Sequence, residues 1–340
     1  MADSEKDPIR VVVAMDFSDE IMEELKDVSD NLRIERHFPD VPDSAYETAE
    51  ILYTLRNFPL PEQAPLLRWI QLHSAGLDSL MDKPIVQAED VEISSASGIH
   101  AVPIAEFCMS MLLAFEYNLL KMVDMKVAGE WVDNRGKIFY PQGLRGKTLG
   151  IAGYGSIARE LARIVDQMGM KVLATKHDAM RTAAENTYIE AGTGDPDGDI
   201  PERIYPSEAL PSMAGECDYL VITTPLTEAS RHMVNEDVFK AMKPTAFFVN
   251  ISRGAVVDEK ALISALAAEE IAGAALDVFE EEPLPTTSPL WNLDNVILSP
   301  HVAGNNTRYH ERAARLFAEN LRRYLENRPL MNLLDRERGY

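Results

Sequence analysis

Apolar and polar positions along the chain alternate between two regimes. Residues 9–15 (IRVVVAM) form an apolar, β-branched run of the kind buried on both faces of a parallel sheet. Residues 19–28 follow with helical spacing, and Ser18 or Asp19 stands where an N-cap is expected. Four more short strands are predicted at 33–37, 51–55, 69–72 and 91–94, separated by helical or proline-rich pieces. This alternation predicts a first doubly wound α/β unit. Apolar positions then recur at helical spacing from about 102 to 129, a span that reads as one long helix bridging two units. A second series starts at Gly146, with strands at 148–153, 170–175, 219–223, 246–251, 274–278 and 296–298 and helices at 157–168, 235–241 and 259–269. Six strands joined by crossovers match a dinucleotide-binding sheet. Residues 305–326, after Pro300, predict a closing amphipathic helix. The stretch 186–206 breaks the pattern. It contains Ala-Gly-Thr-Gly-Asp-Pro-Asp-Gly-Asp and little apolar material, and reads as an exposed acidic loop.

Length and composition fit this two-unit reading. A chain of 340 residues suits two domains, and a hydrophobic content of 46% supports a substantial core. Lys plus Arg number 33 against 55 Asp plus Glu, a formal net charge of -22. Such a surface repels phosphate backbones and anionic lipid, so nucleic acid and membrane are poor partners; the same acidity fits an ordinary acidic enzyme or a high-salt organism. Cys108 and Cys217 make neither a disulfide framework nor a metal cluster, and no metal site is expected. The polar start, residues 1–8, shows no secretory signal. The apolar span 104–127 is interrupted by Glu106, Glu116, Lys121, Asp124 and Lys126, too many charges for a membrane helix. The expected location is cytoplasmic.

The most specific local signal is Leu149-Gly-Ile-Ala-Gly153-Tyr154-Gly155-Ser156-Ile157-Ala158, a GxGxxA pattern placed between a strand and a helix. Gly153 permits the tight turn, Gly155 leaves room for a pyrophosphate, and Ala158 allows close packing of helix on strand. The helix start offers N–H groups and a positive dipole end to the phosphates. About 20 residues on, an acid that would hold the ribose hydroxyls is expected at the next strand end. Here that end is Lys176, followed by His177 with Arg181 nearby, while Asp178 stands two positions late. Cations there attract a 2′-phosphate, which favours NADP over NAD; the plainer reading of Lys176 is a solvated surface lysine.

Three later segments fall at strand ends, where open α/β sheets bind ligands. Arg253 follows Phe248-Val-Asn-Ile-Ser and precedes Gly254; its planar guanidinium suits a carboxylate or carbonyl oxygen. Glu282 closes Asp277-Val-Phe-Glu-Glu-Glu282-Pro283, and His301 lies in Ser299-Pro300-His301. A histidine supplies a proton near neutral pH, and an adjacent carboxylate favours its charged form. Each has a plainer reading: a surface arginine, a solvated glutamate run, a satisfied turn histidine. Taken together they give Arg, Glu and His in chain order at strand ends, downstream of a nucleotide turn.

With that order the chain resembles the D-isomer-specific 2-hydroxyacid dehydrogenases, in the branch that reduces glyoxylate, hydroxypyruvate or other 2-keto acids. The matching pieces are His73-Ser74-Ala75-Gly76-Leu-Asp78, Ser97-Gly98-Ile-His-Ala-Val-Pro-Ile-Ala-Glu106, Leu144 to Gly155, Pro225-Leu-Thr227, Asn250-Ile251-Ser252-Arg253-Gly254, Asp277 to Pro283 and Ser299-Pro-His301. They span about Val11 to Leu325. The resemblance implies two Rossmann-like domains with parallel sheets and a cleft between them. It places a discontinuous substrate domain at 1–98 plus 301–340 and a coenzyme domain at 99–300. It implies that Arg253 holds the substrate's carboxylate or keto oxygen, that His301 donates the proton as hydride arrives, and that Glu282 pairs with His301. The loop Ser74, Ala75 and Gly76 would bind the substrate carboxylate, and Asp277 would accept from the nicotinamide carboxamide. Gly153, Tyr154, Gly155, Ser156, Ile157, Lys176, His177, Arg181, Thr223, Thr224, Pro225, Ile251, Ser252, Ala303 and Gly304 complete the expected coenzyme set.

The implied activity is reduction of a small 2-keto acid to a D-2-hydroxy acid with NADP or NAD, by a homodimer whose contact uses the long helix. The sequence departs from the commoner pattern at Lys176 and in the acidic stretch 186–206. Two alternatives stay open: a dinucleotide-sensing module of the corepressor type, and a short phosphoglycerate dehydrogenase, since the chain stops at Tyr340 without room for a regulatory domain. Formate dehydrogenase relatives carry Gln where Glu282 stands. His73, His100, Trp131 and Tyr140 are further candidates to line a pocket, with packing as the plainer role.

Overall fold

The computed structural model describes residues 7–77, 80–184, 186–336 and 339. Residues 1–6 of the polar start and Asp78 of the His73–Asp78 motif lie outside the described residues. In chain order the elements are β1 (Ile9–Ala14), α1 (Asp19–Lys26), β2 (Leu32–Arg36), α2 (Asp43–Tyr46), β3 (Ile51–Thr54), β4 (Trp69–Leu72), α3 (Pro84–Gln87) and β5 (Glu92–Ser94). There follow α4 (Ala101–Glu116), α5 (Leu119–Ala128), α6 (Arg135–Ile138), β6 (Thr148–Ala152), α7 (Ser156–Gln167), β7 (Lys171–Lys176), β8 (Arg203–Pro206), α8 (Leu210–Ala214) and β9 (Tyr219–Ile222). The chain ends through α9 (Glu236–Ala241), β10 (Phe247–Asn250), α10 (Glu259–Ala267), β11 (Gly273–Leu276), β12 (Val296–Leu298) and α11 (Tyr309–Leu325).

Two compact units result. The first comprises Met1–Ile99, Glu185–Tyr188 and Asn306–Tyr340; the second comprises His100–Ala184 and Ile189–Asn305. Residues 301–305, including His301, therefore group with the second unit, where the sequence reading begins the substrate domain at 301.

The first unit is a parallel sheet in the order β2-β1-β3-β4-β5. Its inner strands β3 and β4 are wholly buried because both faces are covered, whereas the edge strand β2 alternates buried and exposed residues. Val11 and Val13 face Leu25 of α1 and Phe317 of α11, while Val12 and Leu52 face Ile85 and Val86 of α3. Ser18 caps α1 as read from sequence, its hydroxyl accepting from the Ile21 N–H, with Asp19 and Glu20 in the first turn.

The second unit is a parallel sheet in the order β12-β11-β10-β9-β6-β7-β8. Leu149, Ile151, Val221, Phe247 and Val249 pack under α4 and α7; Ala152, Leu220, Ile222 and Phe248 face α8, α9 and α10. Strand order reverses at β6, which pairs with β7 on one side and β9 on the other, creating a switch point at their C-terminal ends.

Three expectations change. The long helix at 102–129 is two helices. Asn118 adopts a left-handed φ of 52°, which asparagine tolerates, and its side chain donates to the Ile138 carbonyl at 2.7 Å. The stretch 186–206 is not simply an exposed loop. It ends in β8, a seventh strand, and buries Asp195 and Tyr205. Proline at the end of this edge strand is compatible with pairing on one side only. The closing helix begins at Tyr309 rather than 305. Among the described residues no helix is long and apolar enough to cross a membrane.

Gly150 shows how tightly the second sheet is packed: a Cβ there would lie 2.5 Å from Cys217 Sγ and 3.3 Å from Leu220 Cδ1. Gly150→Ala is expected to lower unfolding free energy by about 1–3 kcal/mol through overpacking, measured by urea melts followed by circular dichroism.

Candidate active site

The register of the second sheet aligns Thr175, Ala152, Ile222, Asn250, Leu276 and Leu298 across β7, β6, β9, β10, β11 and β12. Gly153, Lys176, Thr223, Ile251 and Asp277 are each the next residue, and His301 follows three positions after Leu298. Most of the expected site therefore leaves the sheet along one edge. Ser74, Ala75 and Gly76 follow β4 in the first unit, where the Ser74 hydroxyl donates to the Gly76 carbonyl at 3.1 Å.

At the glycine turn, Gly153 has a φ of 91°, and a Cβ would meet Thr224 Oγ1 at 2.8 Å and Thr224 Cα at 3.0 Å. Only glycine fits there. The Thr223 hydroxyl donates to the Gly153 carbonyl at 2.6 Å, and the Thr224 hydroxyl to that of Ala152 at 2.9 Å. These threonines hold the turn; Pro225 beside them is exposed. Gly155 faces open space, with nothing within 4 Å of an added Cβ. α7 starts at Ser156 and Ile157 without a side-chain cap, and Ala158 is wholly buried. An open glycine at an uncapped helix start fits a dinucleotide pyrophosphate. The Tyr154 side chain points inward instead, its hydroxyl donating to Asp195 at 2.6 Å, so only its backbone remains at the turn.

Lys176 is the last residue of β7 and donates to the Arg181 carbonyl; His177 and Arg181 are exposed. The three basic residues thus lie within one short stretch of chain.

The histidine turn is built on Asp277. This buried carboxylate accepts the Ser299 hydroxyl at 2.6 Å and the N–H groups of Val302 and Ala303 at 2.9 Å each. The His301 N–H donates to the Asp277 carbonyl at 2.8 Å, and His301 has a left-handed φ of 54°. Its Nδ1 lies 2.8 Å from Glu282 Oε2, and Glu282 Oε1 accepts the Phe279 N–H at 3.0 Å. The ring is half-exposed with one nitrogen committed, so Nε2 is the nitrogen left for a ligand. Asp277 thus organises the turn, a role the sequence reading, which assigned it to the nicotinamide, does not contain.

Arg253 follows β10, and its guanidinium donates to the Ser252 carbonyl at 2.7 Å. The Asn250 side chain accepts the Ser252 hydroxyl at 3.0 Å and donates to the Arg253 carbonyl at 3.2 Å, shaping this turn; Ile251 and Ser252 are buried. A Cβ on Gly254 would fall 1.8 Å from the Phe279 carbonyl carbon, so the turns after β10 and β11 touch at that glycine. Ala303 is buried, and Gly304 packs against the His100 ring.

His73 is buried, with Nδ1 2.6 Å from the Tyr53 hydroxyl, and takes the packing role. Trp131 and Tyr140 are exposed instead. Burial pushes both cysteine thiols up to about 12, so neither is a thiolate nucleophile. Among the described residues no group of His, Cys, Asp and Glu is placed to hold a metal.

An open glycine turn at the switch point, with Arg, Glu and His on the turns that follow neighbouring strands, is the arrangement of a dinucleotide-binding α/β oxidoreductase. The chain belongs to the D-isomer specific 2-hydroxyacid dehydrogenase family: the model of that family's NAD binding domain matches residues 109–303. The coenzyme is accordingly a nicotinamide dinucleotide, NAD or NADP. A glyoxylate reductase of Aeropyrum pernix is 34% identical over 298 residues, covering 85% of this chain and 84% of that protein. A family member from Aeromonas salmonicida has a similar crystal structure, with a TM-score of 0.77, 28% identity, and coverage of 97% of this chain and 100% of that one. The D-isomer specific 2-hydroxyacid dehydrogenase of Xanthobacter autotrophicus, crystallised with NADPH and MES, gives a TM-score of 0.78 at 25% identity and covers 98% of this chain and 100% of its own.

Asp277→Asn converts one acceptor oxygen into a donor facing donors. It is expected to lower stability by about 2–3 kcal/mol and to reduce protection of the Val302 and Ala303 amides in hydrogen exchange.

Proposed function

We propose that the protein reduces a small 2-keto acid to the corresponding D-2-hydroxy acid, with His301 as the proton donor. The observation that carries this reading is the 2.8 Å contact between His301 Nδ1 and Glu282, on the turns after β12 and β11. Bound coenzyme supplies the hydride. Arg253 holds the keto oxygen or the carboxylate and stabilises the negative charge that reduction places on oxygen. His301 delivers its Nε2 proton to that oxygen and recovers it in the reverse direction. Glu282 fixes the ring and offsets the charge of the imidazolium. The glyoxylate reductase relatives make glyoxylate the first substrate to test.

NADP is proposed as the preferred coenzyme. Lys176, His177 and Arg181 stand where an acid would otherwise receive the ribose hydroxyls, and the charge of Lys176 and Arg181 suits a 2′-phosphate. Homodimer formation is proposed through α5, which carries no buried residue and exposes Leu119, Leu120, Met122, Val123 and Val127.

Oxidation of NADPH and NADH by purified protein is compared with glyoxylate, hydroxypyruvate, pyruvate and phenylpyruvate. Faster turnover with NADPH is expected, and Lys176→Ala is expected to raise the KM for NADPH without raising that for NADH. An NADH preference would discard the strand-end argument, and no turnover would move weight to a dinucleotide-binding module. Arg253→Ala is expected to lower kcat/KM about a hundredfold or more with the melting temperature retained. Full activity in that variant would remove the proposed site.

A further inference from the structure

The crossover between β7 and β8 places charge inside the protein at positions the proposed chemistry does not use. Tyr154, between the two glycines of the turn, is 2% exposed, and its hydroxyl donates to Asp195 Oδ2 at 2.6 Å. Asp195, 6% exposed, also accepts the N–H groups of Asp199 and Ile200 at 3.2 Å each. The Arg159 guanidinium lies over the Tyr154 ring, 4.8 Å from its centroid, and donates to the carbonyls of Asp195 and Thr182. Glu160 accepts the Gly194 N–H at 2.6 Å and pairs with Arg163. Burial, reinforced by the Asp195 carboxylate, pushes the Tyr154 phenol far up, so it remains a donor.

These contacts converge on the glycine turn. Thr223 and Thr224 hold the Gly153 end of the turn, but the Gly155 end has open space and no side-chain cap, and ordering that end on ligand binding would weaken affinity. The turn's one large side chain is locked at the ring by Arg159 and at the hydroxyl by Asp195. The same crossover holds Thr182 through Arg159, one residue beyond the Arg181 carbonyl that receives Lys176.

We propose that Asp195 is a positioning residue for the coenzyme, acting through Tyr154 to hold the backbone of Gly153 to Gly155 in its phosphate-accepting shape. This rests on the reading of that turn as the pyrophosphate site. Asp195→Asn and Tyr154→Phe are compared with the wild type by titrating NADPH and NADH without substrate, following nicotinamide fluorescence, and by steady-state kinetics with a 2-keto acid. Both variants are expected to raise Kd and KM for each coenzyme about tenfold, the effect of roughly one charge-assisted hydrogen bond. The keto acid KM, and kcat at saturating coenzyme, are expected to stay within about twofold, because Arg253, Glu282 and His301 are held by other contacts. Unchanged coenzyme Kd in both variants, even with a lowered melting temperature, would overturn the proposal. If Asp195→Asn does not fold, Tyr154→Phe, which removes a single oxygen, decides alone. Wild-type protein that binds neither coenzyme would instead overturn the reading of the turn, and this inference with it.

Discussion

Strand register in the second sheet is the constraint on which the site depends. Parallel pairing in fixed register ends β6, β9, β10, β11 and β12 at aligned positions. The glycine turn, the arginine turn and the histidine turn then leave the sheet from one run of neighbouring strands. A one-residue slip of β11 would exchange the two packed faces its side chains meet and carry Asp277 away from the turn it organises. The cost of such a slip is set by burial, since Ala274, Ala275 and Leu276 are enclosed on both faces.

On this frame the polar contacts divide the work by distance from the sheet. Asp277, buried and adjacent to β11, fixes backbone through its bonds to Ser299, Val302 and Ala303. Glu282, farther out and partly exposed, fixes a side chain. The buried carboxylate, with three donors from its own turn, suits architecture, whereas the outer pair engages one imidazole nitrogen.

Much of this is legible in the sequence because it depends on local pattern. Apolar runs mark β1 and β10, the GxGxxA spacing marks the glycine turn, and Arg253, Glu282 and His301 stand out as ionisable groups downstream of apolar strands. What escapes depends on contacts distant in the chain. The break at Asn118 lies within an apolar pattern that continues unchanged into α5. Glu160 lies on the face of α7 opposite Leu161 and Val165, which an amphipathic pattern assigns to solvent; the crossover covers it. Asp195 gives no signal beyond membership of a polar stretch, since its burial depends on Tyr154, 41 positions away.

The crossover also alters the modularity of the chain. Because residues 185–188 belong to the first unit, the polypeptide passes from one unit to the other at 99/100, 184/185, 188/189 and 305/306. Asn332 secures the excursion, accepting the Tyr188 N–H through its side chain and donating its own N–H to the Asn186 carbonyl. Recombination with a relative that exchanged the coenzyme-binding half at only two junctions would transplant this short segment away from the asparagine that receives it. Inheritance of residues 186–188 is thus tied to that of the C-terminal segment that carries Asn332.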